Sequence, residues 1–419
     1  MYNIYSLKNG LRVVTEKIEY VNSVSVGIWM KIGARNEKKE ETGISHFIEH
    51  MLFKGTETKS AMDIVKSIED VGGHINAFTG KETTCIYVRA LNTHEKLCVE
   101  TLADMIFNSL FNEDDIEKEK MVIGEEINMN DDSPEDLLTD LQCRAMWGDG
   151  SLANTILGTK EAIGKLNREK IKKYIKENYI PENCVISICG NFSDDMGKLI
   201  EENFAHWNNQ NNLVRTYDVP VKVNNNIFKP KEIEQLHINM GLEGVQLGSD
   251  DIYPLAILTN RFGGGASSIL FQKVREEQGL CYSVYAFNSA YVNTGALNIY
   301  GALSPNTVQQ FIDITTEEVD KFSKFKFSKE ELYKAKEQLK GGYLLALENT
   351  SNRMFSNGRT LLMNDKVKTP DEILGKIEAI DNDRIEVMMD RIFKKGILNY
   401  TFVGSGEDKV SVDNLKILK

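Results

Sequence analysis

The pattern of apolar and polar residues predicts strands and helices along the whole chain. Over residues 23–32 the two classes alternate with a period of two, which places successive side chains on opposite faces of a strand. Apolar runs predict further strands at 11–14, 85–91, 184–190, 237–242, 280–285, 296–300 and 398–404. Composition and periodicity predict helices at 45–53, 61–71, 95–110, 115–130, 168–178 and 329–349.

The chain divides into two halves at residues 208–232, which are rich in Asn, Lys and Pro and therefore typical of loops. A chain of 419 residues also exceeds the usual size of a single core. The apolar strand at 398–404 resembles the segment 183–190 at an offset near 214, which favours an internal duplication. The predicted parts are an N-terminal domain at 1–215, a linker at 216–232 and a C-terminal domain at 233–419.

Composition and charge narrow the class of protein. A hydrophobic content of 41% and a charged content of 27% are ordinary for a globular protein. The net charge of −12 argues against a nucleic-acid partner and against an anionic membrane surface, and it mildly favours cationic substrates. No apolar stretch has the length needed to span a bilayer, and no secretory signal is expected. The six cysteines show no C-x-x-C pair, so we expect a reducing, cytoplasmic location.

The segment His46-Phe47-Ile48-Glu49-His50 has the pattern H-x-x-E-H. On a helix, positions i and i+4 share a face, so His46 and His50 could both bind one metal ion. Glu49 stands beside the pair, where it could hold a water molecule. Two imidazoles, a carboxylate and an open position make a catalytic zinc site. The alternative is a partly exposed helix with two solvated histidines.

A metal site with two histidines needs a third protein ligand, and carboxylates later in the chain are candidates. Glu119 and Glu126 are seven residues apart in a segment of helical composition, so they share one face of the predicted helix. Val122, Ile123 and Ile127 lie close to that face. A carboxylate at the border of an apolar stripe needs a partner, and a metal ion is one such partner. A solvated helix face is the alternative, and spacing alone favours it.

Residues 46–56, His-Phe-Ile-Glu-His-Met-Leu-Phe-Lys-Gly-Thr, resemble the signature of the pitrilysin/insulinase family of zinc metallopeptidases. In that family the third ligand follows the second histidine by about seventy-six residues, which implies Glu126. A supporting carboxylate lies seven residues earlier, which implies Glu119. Glu125 is the rival ligand, but it points about 100° away from Glu126 on a helix. The resemblance therefore implies one zinc ion per chain, held by His46, His50 and Glu126, with Glu49 as the base.

A Gly-Gly pair begins the segment 72–79, which precedes the predicted strand at 85–91. By itself this pattern predicts only a turn into a strand. It also resembles the family segment that holds a peptide substrate along a sheet edge, where main-chain hydrogen bonds ignore side-chain identity. The residues that the resemblance implies for substrate binding are Phe53, Asn76, Ala77 and Phe78.

The second half has a glycine run at Arg261-Phe262-Gly263-Gly264-Gly265-Ala266-Ser267-Ser268. It matches neither the P-loop nor the dinucleotide-binding pattern, so nucleotide binding is not indicated. We expect a loop whose backbone passes close to another group, such as substrate. The loop should lead into a helix that Ser267 or Ser268 caps and that ends near Gly279.

Arg275 and Tyr282 follow this loop, on the predicted helix and on the next strand. The resemblance implies that an arginine and a tyrosine at this spacing reach across the molecule, bind the substrate backbone and stabilise the oxyanion. Without the resemblance, they would be an ordinary surface arginine and a half-buried strand tyrosine.

The resemblance also implies an architecture and a function. The expected fold is α+β, with two similar α/β-sandwich domains facing each other as a clamshell. The expected branch is bacterial and resembles the catalytic subunit of mitochondrial processing peptidase. The expected activity is zinc-dependent endopeptidase cleavage of peptides or unfolded segments inside a closed chamber. The alternatives are a processing protease that removes a presequence or propeptide, and a non-catalytic scaffold subunit.

Because both sets of site residues occur on one chain, we expect a homodimer; a complete two-domain clamshell is the alternative. The expected partners are peptide substrates, with neither nucleic acid nor membrane.

Overall fold

A computed structural model describes residues 2–208, 216–407 and 410. The predicted Asn-rich stretch therefore lies partly outside the described residues, at 209–215. The chain forms two compact units, and each unit is discontinuous in sequence. The first unit is Met1–Asn128, Asn154–Thr216 and Leu345–Thr369, and the second is Met129–Ala153, Tyr217–Leu344 and Pro370–Lys419.

The strands and helices of the described residues follow the predicted mixed α+β class, which is confirmed. The strands are β1 (Tyr2–Ser6), β2 (Arg12–Lys17), β3 (Ser23–Met30), β4 (His74–Thr79), β5 (Thr84–Leu91), β6 (Cys184–Gly190), β7 (Ile227–Pro230), β8 (Leu236–Glu243), β9 (Cys281–Tyr291), β10 (Thr294–Leu303) and β11 (Asn399–Gly404).

The helices are α1 (Ile44–Met51), α2 (Ala61–Glu69), α3 (Glu95–Asn108), α4 (Glu113–Asp132), α5 (Pro134–Trp147), α6 (Lys160–Gly164), α7 (Arg168–Asn178), α8 (Met196–Phe204), α9 (Ile252–Gly263), α10 (Val308–Phe322), α11 (Lys329–Ala346), α12 (Thr350–Asn364), α13 (Pro370–Glu378) and α14 (Asn382–Ile392). Short 3₁₀ turns occur at Ala34–Asn36, Lys39–Glu41, Asn92–His94, Ser151–Ala153, Pro181–Asn183 and Pro305–Thr307, and a π-helical turn at Phe271–Glu276. Among the described residues, no helix combines the length and apolar composition that crossing a bilayer requires.

The two units contain sheets of the same topology, which supports an internal duplication. The first sheet has the order β1-β2-β6-β3-β5-β4, and the second has the order β7-β11-β8-β10-β9. Five strands of each sheet correspond. In the first sheet β2 pairs in parallel with β6, and in the second sheet β7 pairs in parallel with β11. The other strand pairs are antiparallel and occur in the same order in both sheets. The first sheet has β1 as an additional edge strand.

Each sheet receives a helix from the other half of the chain. α12 packs on β3 and β6, where the Ser187 hydroxyl donates to the Met354 carbonyl at 2.8 Å. α5 packs on β8 and β11, where the Gln142 amide donates to the Asn399 side chain at 3.2 Å. The predicted domains at 1–215 and 233–419 do not contain this exchange. The periodicity of a helix tells which face is buried, but not which sheet buries it.

The predicted linker at 216–232 is not entirely irregular. It contains β7, whose residues Ile227 and Phe228 pair with Thr401 and Phe402 of β11. A four-residue strand that ends in proline gives little periodic signal, and the surrounding Asn and Lys residues concealed it. Its partner strand, more than 170 residues away, defines it.

The apolar core of the first unit fixes the position of α1. Phe47, Ile48 and Met51 on α1 are fully buried, together with Ile86 and Val88 of β5. Burying one such side chain contributes roughly 1.5–3 kcal/mol to folding. The core therefore determines which face of α1 points outward, and that face carries the histidines.

Candidate active site

The outward face of α1 presents both histidines of the H-x-x-E-H segment. The side chains of His46 and His50 are 12% and 21% exposed, and their ring centroids are 4.4 Å apart. The helix begins after Gly43, whose φ of 89° lies in the left-handed region. Since one turn separates the two imidazoles, both can face one point in space.

α4 places Glu126 opposite the two histidines. Its Oε2 atom lies 3.8 Å from His46 Nε2 and 3.7 Å from His50 Nε2. The three ligand atoms lie within 4.8 Å of one another. Four tetrahedral zinc ligands at about 2.0–2.2 Å from the ion lie roughly 3.3–3.6 Å apart. Two imidazole nitrogens and a carboxylate at this spacing therefore fit a zinc ion, with room for a fourth ligand.

Glu119 anchors the second histidine from behind. His50 Nδ1 donates to Glu119 Oε1 at 2.8 Å, and Lys54 Nζ donates to Glu119 Oε2 at 2.6 Å. This bond leaves His50 Nε2 as the nitrogen that faces Glu126. Burial raises the pKa of Glu119, but the hydrogen bonds from His50 and Lys54 outweigh burial and lower that pKa overall.

The pKa values of the two imidazoles are shifted in opposite directions. Burial, and then the charge of His50, lower the pKa of His46 to about 4, so His46 is neutral at pH 7. Burial also lowers the pKa of His50, but the bond to Glu119 and the nearby carboxylates raise it overall. The buried Nδ1 of His46 has no hydrogen-bond partner among the described residues. A neutral imidazole is the form that binds a metal ion.

Glu49 belongs to α1, and its side chain contacts the last residue of β4, Thr79. It is 9% exposed, and its Oε2 accepts a hydrogen bond from the Thr79 hydroxyl at 2.5 Å. Burial raises the pKa of Glu49, and the Thr79 bond and the charge of His50 only partly oppose this. A buried carboxylate with a raised pKa is suited to accept and return a proton near neutral pH.

β4 forms the open edge of the first sheet, since β5 is its neighbour in the strand order. The Gly80 amide donates to the Thr83 carbonyl, and Ala77 stands opposite Ile86. In an antiparallel ladder the bonded pairs alternate, so the main-chain groups of Ala77 and Thr79 point away from β5. These groups face the open edge, where the Ala77 amide donates to the side-chain oxygen of Asn76 at 2.8 Å.

The predicted substrate-binding residues lie on and beside this edge. Asn76 and Phe78 are exposed on β4, whereas Ala77 and Phe53 are half-buried against the core. The Phe78 ring packs 5.5 Å from Trp29 and 5.7 Å from Phe355 of α12, measured between centroids. Phe355 could not be predicted from the sequence, because only the fold places α12 in the first unit.

In the second unit, Arg275 and Tyr282 lie together. The Arg275 guanidinium carbon is 4.7 Å from the Tyr282 ring centroid and 4.6 Å from that of Phe271. Tyr282 is 78% exposed rather than half-buried. The expected helix begins at residue 269 and continues as the π-helical turn, and the Ser268 hydroxyl just before it accepts from the Phe271 amide at 3.4 Å.

In the glycine run, the backbone at Gly263 lies close to another strand. A Cβ atom at this position would lie 2.7 Å from Ala286 of β9. The close neighbour at Gly263 is therefore a strand of the same unit rather than a substrate. At Gly265, by contrast, a Cβ atom would meet no described atom within 4 Å.

Three residues that the sequence did not single out also contact this constellation. Thr79 holds Glu49, Lys54 holds Glu119, and Glu37 binds the start of α1. Lys54 and Thr79 stand inside the segments quoted for the family resemblance, and that was their only available signal. Glu37 lies outside both segments.

Two family models match most of the chain. The sequence profile "Insulinase (Peptidase family M16)" matches residues 12–160, which include all three candidate ligands. The profile "Peptidase M16 inactive domain" matches residues 165–339, which include Arg275 and Tyr282.

Relatives in several bacteria cover nearly the whole chain. The "Uncharacterized zinc protease YmxG" of Bacillus subtilis is 40% identical over 393 residues, covering 94% of this chain and 96% of the relative. The "Uncharacterized zinc protease Rv2782c" of Mycobacterium tuberculosis is 34% identical over 401 residues, covering 93% and 90%.

Solved structures share the fold. A protease from Helicobacter pylori matches with a TM-score of 0.89 at 20% identity, over 97% of this chain and 99% of that one. A peptidase M16 inactive domain from Pseudomonas fluorescens matches with a TM-score of 0.87 at 15% identity, over 96% and 98%. The resemblance to the catalytic subunit of mitochondrial processing peptidase stays a prediction. The profile matches and the relatives show that this chain belongs to the insulinase family of peptidases, peptidase family M16.

Proposed function

We propose that this protein is a zinc-dependent endopeptidase that cleaves peptides or unfolded segments. The observation that carries the proposal is the convergence of His46, His50 and Glu126 at zinc-ligand spacing. Relatives that are called zinc proteases support the choice of metal. One zinc ion per chain would suffice for the chemistry.

The three ligands share one task in this proposal, and Glu119 has another. His46, His50 and Glu126 would hold the ion, and Glu119 would keep His50 in its ligating orientation. A zinc ion held there would supply the Lewis acidity that activates water and polarises a peptide carbonyl.

Glu49 moves the proton in the proposed reaction. Its carboxylate accepts a proton from the attacking water and later gives that proton to the leaving amine. The Thr79 hydroxyl orients the carboxylate, because it donates to one of the two oxygens. Cleavage of the peptide bond then consumes one water and releases a carboxylate and an amine.

The open edge of β4 would bind the substrate as an added strand. Main-chain groups of Ala77 and Thr79 would pair with the peptide backbone, whatever the side chains of the peptide. The bound segment must be extended, which favours peptides and unfolded segments over folded proteins. Phe53, Asn76 and Phe78 would contact substrate side chains beside this edge.

Arg275 and Tyr282 would act on the same substrate from the second unit, across a closed chamber. A guanidinium and a phenol are donors suited to the negative charge that develops on the carbonyl oxygen. Their mutual packing and the exposure of Tyr282 support this role. We propose the clamshell arrangement of the two units together with this role.

The testing experiment is the hydrolysis of a quenched peptide library by wild type and Glu49→Gln, each with zinc content measured. We expect cleavage by wild type only, with one zinc ion bound in both proteins. A wild type without zinc would contradict the proposal and favour a scaffold subunit. Zinc with cleavage confined to one sequence class would favour a processing protease.

A further inference from the structure

The short helix that carries both histidines begins without a capping side chain of its own. α1 has eight residues, and its N-cap position is Gly43. A Cβ atom at Gly43 would lie 2.5 Å from the Leu157 carbonyl oxygen and 2.7 Å from Ile163. Only glycine fits there, so the free amides at the start of α1 need an acceptor from elsewhere.

Glu37 is that acceptor. Its Oε2 accepts from the Gly43 amide at 2.6 Å, and its Oε1 accepts from the Ser45 amide at 2.8 Å. Glu37 is 6% exposed, so both bonds are shielded from water. Ser45 directly precedes His46, which places this carboxylate one residue from the first histidine of the candidate metal site.

The loop that carries Glu37 is itself fixed. The Arg35 amide donates to the Lys81 carbonyl at 2.7 Å, and Arg35 forms a buried ion pair with Glu82. The Asn154 amide group donates to the Glu37 carbonyl at 3.1 Å. The carboxylate is therefore held by the turn between β4 and β5, and it cannot drift with the helix.

We propose that Glu37 is a positioning residue that sets the orientation of α1 and thereby the zinc affinity of His46 and His50. The apolar core fixes which face of α1 points outward. Because an isolated helix of two turns is marginal, the position of its first turn also depends on how its amino end is held. A negative charge at a helix amino terminus also stabilises the helix dipole. The inference rests on the proposed zinc site and deepens it.

The protonation of Glu37 provides a way to test this role. Burial raises the pKa of Glu37 to about 7, although the bonds from Ser45 and Gly43 oppose the effect. Glu41 raises that pKa further, and the hydroxyls of Tyr174 and Tyr179 are the titratable groups that α7 and its end contribute nearby. The ionised carboxylate accepts both amides, so zinc should bind more tightly as the pH rises through about 7.

The experiment measures the zinc dissociation constant by chelator competition at pH 6 and pH 8, using the full chain. The proteins are wild type, Glu37→Gln, Glu37→Ala and the control Glu40→Ala, whose side chain is exposed. We expect Glu37→Ala to bind zinc on the order of tenfold more weakly at pH 8, with Glu37→Gln in between. The ratio between Glu37→Gln and wild type should grow from pH 6 to pH 8, and Glu40→Ala should match wild type.

The outcomes separate this inference from the proposed function. A wild type that binds no zinc would contradict both. A wild type that binds zinc, with an equal dissociation constant in Glu37→Gln at both pH values, would overturn the role of Glu37 alone. If Glu37→Ala fails to fold, circular dichroism will reveal it, and the Glu37→Gln comparison still decides.

Discussion

The two histidines of the candidate metal site are held in different ways. Glu119 and, behind it, Lys54 fix His50 through hydrogen bonds, whereas the Nδ1 atom of His46 has no such partner among the described residues. The position of His46 therefore depends on the backbone of α1. This difference makes the second histidine the more rigid ligand and the first the more sensitive to how the helix is held.

Two adjacent carboxylates on α4 allow a matched comparison of ligand and non-ligand. Glu126→Ala should lower zinc affinity by more than about a hundredfold, because it removes an oxygen that faces both imidazoles. Glu125→Ala should leave the affinity unchanged, since Glu125 is exposed and accepts a hydrogen bond from the Asn128 amide at 3.1 Å. Metal content after dialysis measures both. The reverse pattern would assign the third ligand to Glu125.

Thr79 should affect turnover without affecting the metal. Thr79→Val removes the donor that holds Glu49, so we expect kcat to fall about tenfold or more while zinc content is unchanged. Thr79→Ser keeps the hydroxyl and should restore most of the activity. Steady-state kinetics on one cleaved peptide provides the measurement. Equal activity of Thr79→Val and wild type would show that Glu49 needs no such support.

At the scale of single elements, β4 has two unequal sides. One side forms the ladder to β5, and on the other side the main-chain groups of Ala77 and Thr79 face the open edge of the sheet. The last residue of the strand also holds Glu49. Substrate binding and proton transfer thus depend on one strand, whose neighbouring turn also holds the loop of Glu37.

Proline substitutions can distinguish the role of the open edge of β4 from the role of the edge that pairs with β5. Ala77→Pro removes an amide that faces the open edge, where proline is tolerated, so the sheet should survive. We expect KM for peptides to rise severalfold, with zinc content retained. Phe78→Pro is the contrasting variant, because its amide bonds to β5 and its loss should lower the melting temperature. An unchanged KM in Ala77→Pro would argue against strand addition at this edge.

At the scale of the whole molecule, neither half of the sequence contains a complete unit. α12 covers the first sheet, where Gly358 lies against Trp29 and the Thr350 hydroxyl lies 3.0 Å from that of Ser25. Arg353 also forms an ion pair with the buried Glu16. The homodimer expected from the sequence stays a prediction. The cytoplasmic location also stays a prediction; the six cysteines are buried free thiols.

The exchange predicts that residues 1–215 cannot fold stably alone. Without α12, buried side chains such as Trp29 and Val185 become exposed, and each costs roughly 1.5–3 kcal/mol. A few such losses equal the usual net stability of a domain, about 5–15 kcal/mol. Expressed alone, the fragment should be insoluble or lack a cooperative melting transition, and co-expression with 216–419 should rescue it. A stable, cooperative fragment 1–215 would contradict this dependence.

The sequence by itself determined the α+β class, the helices α1, α2, α3, α4, α7 and α11, most of the strands, and the residue types of the candidate ligands. Periodicity placed strands and helices because burial repeats every two residues in a strand and every three to four in a helix. The segment at His46–His50 indicated a metal site because one helical turn aligns its two imidazoles. The choice of Glu126 over Glu125 needed the family resemblance, since spacing alone left both open.

Tertiary structure alone decided which distant residues meet. The exchange of α5 and α12, the pairing of β7 and the packing of Phe355 beside Phe78 depend on contacts between segments far apart in sequence. Local patterns record how a residue is buried, but not against what. Glu37 shows the same limit, because a lone glutamate in a charged loop looks solvated until the fold places it at the start of α1.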